Sequence, residues 1–172
     1  MLITHNMKNK KLLLGIAWAW LTCLSANAEV KLPAFFSDGM VMQQQTRANL
    51  WGTATPDAPV KITTSWDKQT YKTTADAKGA WKLALSTPSA GGPYTITFDD
   101  GKLTEIRDIL MGELWLCSGQ SNMEMPMKGF KNQPVENSNT DVMNSRNPQL
   151  RLFTVKRSSS FTLAGSCSGN CA

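Results

Sequence analysis

Between Val30 and about Arg107, apolar and polar positions alternate with a period of two. Val60, Ile62, Thr64 and Trp66 alternate with Lys61, Thr63 and Ser65. Trp81, Leu83 and Leu85 alternate with Lys82 and Ala84, and Tyr94, Ile96 and Phe98 with Thr95 and Thr97. Turn-forming clusters separate these runs: Thr55-Pro56-Asp57, Ala77-Lys78-Gly79, Gly91-Gly92-Pro93 and Asp99-Asp100-Gly101. Short alternating runs at such spacing predict a β-sandwich. Each strand has one dry and one wet face, as in an antiparallel sheet. The Trp and Phe residues fall mostly on the inward phase and are expected in the core. A sugar-stacking face would need aromatics on the outward phase.

The pattern then changes. Ile109-Leu110-Met111 leads through Gly112-Glu113 into Leu114-Trp115-Leu116-Cys117, apolar at every position. A non-alternating run of this kind predicts a strand buried on both faces, as in a parallel α/β sheet. It stops at Ser118-Gly119. A second apolar strand is expected over Leu150 to Val155, after Asn147-Pro148. The stretch between them has the length of one strand–connection–parallel strand unit. Asp141 to Ser145 is expected to supply a short helix, whereas Lys131 to Asn139 is too polar and Asn-rich to assign. The tail from Ser158-Ser159-Ser160 to Ala172 has no apolar run long enough for another buried strand.

The N-terminus has to be set aside from this count. Lys8, Lys10 and Lys11 form a basic region, Leu12 to Leu24 an apolar one, and Ala26-Asn27-Ala28 a small-residue cleavage site. That order is a secretory signal peptide. The apolar stretch is shorter than the roughly 20 residues of a membrane span, so no stable membrane span is expected. A periplasmic or extracellular location is expected instead. Losing three lysines and no acid reduces the net charge from +5 to +2. The remaining charges alternate in sign without runs, and a nucleic-acid footprint would need clustered Lys/Arg. None is expected to bind. Cys23 leaves with the signal; Cys117, Cys167 and Cys171 remain, an odd count that leaves a thiol unpaired within the chain. Cys117, inside the apolar run, is expected to be a small buried hydrophobe. Cys167 and Cys171 could close a small loop. No histidine or second paired cysteine accompanies them, so zinc is not expected. Neither metal nor cofactor is implied.

The chemistry, if present, lies where the apolar run stops. A serine on the turn after a buried strand is exposed at the carboxyl edge of a sheet, where ligands bind. The following N–H groups can stabilise an oxyanion. Gly119 permits the tight backbone and Ser121 is the candidate nucleophile, with Gln120 and Asn122 supporting the turn. Gly119-Gln120-Ser121 alone does not separate this from an ordinary turn serine, and Ser118 is a rival. Glu113 and Glu124 flank the turn and read as solvated or structural.

The longer segment from Gly112 to Met127, GELWLCSGQSNMEMPM, closely resembles the nucleophile block of bacterial sialate O-acetylesterases, of the SGNH-type hydrolases. Phe36-Ser37-Asp38-Gly39-Met40-Val41-Met42-Gln43 is similar to the family's N-terminal segment. Trp51-Gly52 and Gly79-Ala80-Trp81 fit its early β-domain, and Leu150-Arg151-Leu152-Phe153-Thr154-Val155 the strand after the nucleophile. The resemblance implies a Ser-His-Asp hydrolase that removes O-acetyl groups from sialic acids or related acetylated glycans. Ser121 would be the nucleophile and its N–H one oxyanion donor. The family's Asp-x-x-His block has no counterpart, and the one histidine is His5, inside the signal. A serine hydroxyl is a poor nucleophile without a general base. Lys128 and Lys131 have nothing to desolvate or position them as substitutes.

The expected organisation is a signal peptide at 1–28 and a β-sandwich at 29–107. Residues 108–157 follow as the first strand-crossover-strand unit of an incomplete α/β, SGNH-hydrolase-like domain, with a tail at 158–172. The chain reads as the N-terminal portion of a truncated carbohydrate esterase, inactive alone. The alternative is a non-catalytic exported β-sandwich that binds glycans or partners.

Overall fold

The computed structural model describes residues 29–162 and 166–171. The expected signal peptide, with Cys23, lies outside the described residues. The strands are β1 (Val41–Gln43), β2 (Arg47–Thr53), β3 (Pro59–Thr64), β4 (Thr70–Thr74), β5 (Ala80–Ser86), β6 (Gly91–Asp99) and β7 (Leu103–Gly112). After these come α1 (Ser121–Glu124), α2 (Ser138–Asn144), β8 (Phe153–Val155) and β9 (Gly169–Cys171). The described chain is therefore β-rich with little helix.

One sheet runs in the order β1-β7-β6-β3-β4, and β2 and β5 form a separate pair. The β1–β7 pairing is parallel and the others in these two sheets are antiparallel. The period-two pattern explains how they meet. Val60, Ile62 and Thr64 of β3 are buried while Pro59, Lys61 and Thr63 are exposed. Ile96 and Phe98 of β6 repeat the alternation, and Leu50, Trp81 and Leu85 supply the facing pair β2–β5. All belong to one core, and the Trp81 ring lies 5.9 Å from that of Phe98. Burying each large apolar side chain contributes roughly 1.5–3 kcal/mol before chain entropy is counted. The expected inward phase of Trp81 and Phe98 is met. The turn before β5 depends on Gly79, whose φ is +83° and whose missing Cβ would stand 2.5 Å from the Ala54 carbonyl oxygen.

β7 passes through the expected boundary at residues 107/108 and continues to Gly112. Ile109 and Met111 are core residues, and Leu110 to Gly112 pair with β1. Tyr94 pairs with Ile109 but Ile96 with Ile106, so β7 holds one extra residue. This is a β-bulge, and it resets which face looks inward. Asp108 sits in it with φ of +56°. The bulge accounts for the break in alternation that otherwise reads as the end of the β-domain.

Beyond Gly112 the chain departs from expectation. Residues 113–119 form neither strand nor helix. Leu114, Trp115 and Leu116 are 64%, 82% and 92% exposed, and Cys117 is exposed rather than buried. A strand exists only where its N–H and C=O groups find partners. Among the described residues no strand pairs with this run, and only the Leu114 amide finds a partner, in the Gln43 side chain, so its apolar character alone does not make it a strand. The expected short helix forms three residues earlier, as α2. Within 150–155 only β8 is strand, and it pairs antiparallel with β9 rather than parallel to 114–117. The tail, expected to hold no apolar run long enough for another buried strand, supplies the short, polar β9. Cys167 is a free thiol. Among the described residues no helix is long and apolar enough to cross a membrane.

Candidate functional site

Ser121 is the first residue of α1, and Gln120 is the residue before the helix, with φ −110° and ψ −141°. The Met123 amide donates to the Gln120 carbonyl at 3.0 Å and closes the turn. The first N–H groups of a helix have no intrahelical acceptor, so those of Ser121 and Asn122 are available to a ligand. Ser118, Gly119, Gln120, Ser121 and Asn122 are all exposed. At Gly119 the constraint is closeness to the exposed Met123 side chain rather than an unusual φ. A Cβ there would stand 2.6 Å from Cγ of Met123.

The approach to this turn is anchored on the β-domain. Gln43 Nε2 and Gln44 Nε2 donate to the two carboxylate oxygens of Glu113 at 3.0 and 2.8 Å. Gln43 Oε1 accepts from the Leu114 amide at 2.9 Å, and the Gln44 amide donates to the Gly112 carbonyl at 2.9 Å. The hydrogen bonds from Gln43, then Gln44, hold the Glu113 carboxyl below its ordinary pKa. Glu113 is thus a charged clamp and not a proton carrier, as its structural reading expected. Glu124, at the end of α1, forms an ion pair with Arg157.

A second anchor lies after α2. Arg151 Nη2 contacts Asp108 Oδ1 at 3.0 Å, and Arg151 Nη1 donates to the Asp108 carbonyl. The bulge is braced from the other side by Asp38, whose Oδ1 accepts from the Arg107 amide at 2.7 Å. Gly39, beside the guanidinium, has φ of +79°, a conformation that side-chain-bearing residues rarely adopt. Next to it, Phe153 meets Phe35 with ring centroids 6.5 Å apart, and Phe35 packs on Phe36 and Trp51. These positioning side chains were not singled out from sequence. Their signals are a lone arginine inside the apolar run 150–155 and the Gln43-Gln44 pair at the end of β1 and just beyond it.

The expected catalytic partners are not brought together. Among the described residues no side chain is hydrogen-bonded to the Ser121 hydroxyl. His5 lies outside them. Lys128 and Lys131 are exposed; Lys128 borders a shallow depression with Ser138, Asn139, Val142 and Met143. Among the described residues no group of three or more His, Cys, Asp or Glu is placed to hold a metal ion.

No family model matches the chain. Individual proteins do. The chain is 31% identical over 141 residues to a sialate O-acetylesterase of Mus musculus, covering 76% of this chain and 25% of the relative. The Homo sapiens sialate O-acetylesterase is 32% identical over 141 residues, covering 76% and 26%. Among solved structures, a carbohydrate acetylesterase from Xanthomonas citri superposes with a TM-score of 0.75 at 31% identity, covering 84% of this chain and 32% of that one. The chain belongs to the sialate O-acetylesterase family and spans about a quarter of the length of the curated relatives it matches.

Proposed function

We propose that this chain is the nucleophile-bearing part of an exported serine esterase that removes O-acetyl groups from sialic acids or related sugars. The 141-residue likeness to sialate O-acetylesterases carries the reading. Ser121, at an exposed turn, is the attacking hydroxyl. The unpaired N–H groups of Ser121 and Asn122 are the donors for the oxyanion, and Gly119 and Gln120 shape the turn. In architecture the reading is a β-sandwich running to the end of β7, followed by the start of an α/β hydrolase layer. The basic, apolar and small-residue order of residues 8–28 supports export. The glycan-binding alternative has less support, because Trp81 and Phe98 face the core instead of solvent.

Attack by Ser121 needs a base to take its proton. The sequence holds His5 alone, within the export signal. The 172 residues are therefore proposed to be inactive by themselves. The test compares the purified chain with Ser121→Ala on an activated acetyl ester, where equal rates are expected. Clear Ser121-dependent turnover would overturn the inactivity and reveal another base. A longer form carrying an Asp-x-x-His block should release acetate from O-acetylated sialic acid through Ser121. No release from such a form would remove the esterase reading itself.

A further inference from the structure

We infer that Asp100 and Thr104 form a seat for the α-ammonium group that Glu29 acquires when the chain is cut after Ala28. Among the described residues, the buried side-chain atoms without a hydrogen-bond partner are Asp100 Oδ1 and Oδ2, Thr104 Oγ1 and Trp81 Nε1. Trp81 Nε1 is a donor and plays no part in such a seat; the other three can accept. A carboxylate buried without a partner is costly, and native structures pair such groups. Asp100 opens the turn between β6 and β7, two residues after Phe98, and Thr104 stands opposite Phe98 in register. The charges around this turn do not balance. Lys61 Nζ pairs with Asp99 Oδ2 at 3.5 Å, and Lys102 Nζ with Glu29 Oε1 at 2.9 Å. Glu29, Asp99 and Asp100 thus share two lysines, and Asp100 is the carboxylate left over. Glu29 is meanwhile held at the turn. Lys102 pairs with it, Val30 beside it is a core residue, and Lys31 exchanges backbone hydrogen bonds with Thr53 at 2.8 and 2.9 Å. Holding that residue in place beforehand lowers the ordering cost of a new contact.

The occupant follows from the cleavage site Ala26-Asn27-Ala28. Hydrolysis by a signal-cleaving peptidase breaks the bond from the Ala28 carbonyl carbon to the Glu29 nitrogen. The oxygen of water joins the carbonyl carbon, and the nitrogen leaves as an amine. With an ordinary pKa of about 7.7–8.0, that amine takes up a proton at neutral pH. The resulting ammonium has three N–H donors, one for each of the three orphaned acceptors. Before the cut the same nitrogen is an uncharged amide with a single N–H, which cannot balance a carboxylate. Removal of the signal therefore supplies the missing cation and stabilises the β-domain. A chain one residue longer would carry its ammonium about 3.8 Å further along the backbone, away from the seat. This inference rests on the export reading of residues 8–28 and does not depend on the esterase reading.

The test compares a chain that starts at Glu29 with one that starts at Ala28, each with Asp100 or with Asp100→Asn. Both starts retain every described residue. At about pH 6, where the amine is protonated, the Glu29 start should melt about 4 °C or more above the Ala28 start. In Asp100→Asn the two starts should melt together. A second measurement needs no variant: acylation of the terminal amine in the folded chain, read by mass spectrometry of the N-terminal peptide. It should be at least about tenfold slower for the Glu29 start, since raising an amine's pKa by one unit leaves about a tenth of the free base. Equal melting and equal acylation of the two starts would overturn the pair, as would a melting difference that persists in Asp100→Asn. Calcium ions that raised the Ala28 start to the level of the Glu29 start would assign the seat to a metal ion instead. N-terminal sequencing of the exported chain tests the export reading separately and should begin Glu29-Val30-Lys31. Another start would remove the cleavage reading and the maturation step with it, whatever the melting comparison gave.

Discussion

Leu85 and Leu116 are the same side chain in two settings: one has no exposed surface and the other is 92% exposed. The contrast extends to the regions around them. From Val30 to Gly112 the large apolar residues gather into one core, and Leu103 alone among the described large hydrophobics of that stretch is strongly exposed. From Leu114 to Phe161, residues of the same type lie in water: Trp115, Met143, Leu150 and Leu152 among them. Apolar character is therefore not what separates the two regions. The difference is whether a facing sheet exists to receive it. β2 and β5 lie over β3 and β6, whereas no described element lies over 114–117.

The largest test of this contrast is to truncate one residue of each kind. Phe98→Ala opens a cavity under Trp81 and should cost about 3–5 kcal/mol, the usual penalty for a buried aromatic. Leu116→Ala removes nothing that is packed and should change stability by less than about 0.5 kcal/mol. Urea denaturation of the two variants measures both. Equal losses would mean that the 113–119 stretch is packed in solution.

The same contrast predicts the order of cleavage. Brief proteolysis should cut within residues 113–150 well before it cuts between Val30 and Arg107. Exposed segments with few buried contacts open at much lower cost than core strands. Mass spectrometry of the fragments reads the result. Early cuts in β3 or β6 with residues 113–150 intact would reverse the comparison.

How much of this was legible in the sequence follows the same division. Alternation placed Val60, Ile62, Thr64, Trp81, Leu85, Ile96 and Phe98 correctly, because a strand with one dry face writes its own period. β7 was misread at its bulge, since one added residue shifts the phase and imitates a boundary. The run 114–117 was misread for a different reason. A continuous apolar run says that a segment is suited to burial; it does not say that a partner is present. Near Ser121, the stop of the apolar run at Ser118-Gly119 was legible, and the chain turns into α1 just after it. The clamps on either side were not, because Gln43, Gln44 and Arg151 act on residues 43 to 71 positions away. Such long-range pairs leave no local pattern.

A mid-sized effect should come from the Arg151 anchor, which joins the two regions. Its side chain is 22% exposed and that of Asp108 is 58% exposed, so solvent screens the pair only in part. A double-mutant cycle on Arg151→Ala and Asp108→Ala should give a coupling of about 1 kcal/mol. Arg151→Lys should not restore it, since an ammonium cannot reproduce the guanidinium fork on the carbonyl and carboxylate together. Zero coupling would mean that β8 is held by the Phe35–Phe153 contact alone.

The smallest effect is a pH dependence confined to the β-domain. Asp67 sits in the β3–β4 turn and accepts from Thr64 Oγ1, from Tyr71 Oη at 2.6 Å and from the Gln69 amide at 2.9 Å. Partial desolvation pushes its carboxyl up, but these hydrogen bonds outweigh it and hold the pKa below the ordinary 3.8. A depressed carboxylate adds stability at pH above its unfolded value, and that stability is lost as pH falls through the folded pKa, below 3.8. Tyr71 has the opposite sign. Its hydrogen bond to Asp67 raises it above 10.0, so its contribution is complete below that value and is lost as pH rises through the folded pKa. Asp67→Asn should therefore flatten both ends of the stability–pH curve while leaving the middle nearly level. Asp99 is also depressed, first by the Gly101 amide, so some acid slope should persist in the variant. Thermal melting at about pH 3, 7 and 11 resolves the three regimes. An acid slope identical to that of the unmodified chain would show that Asp67 is not the titrating group. Any part of the curve that instead followed residues 113–162 would break the comparison, because those exposed residues have little packing for a titration to disturb.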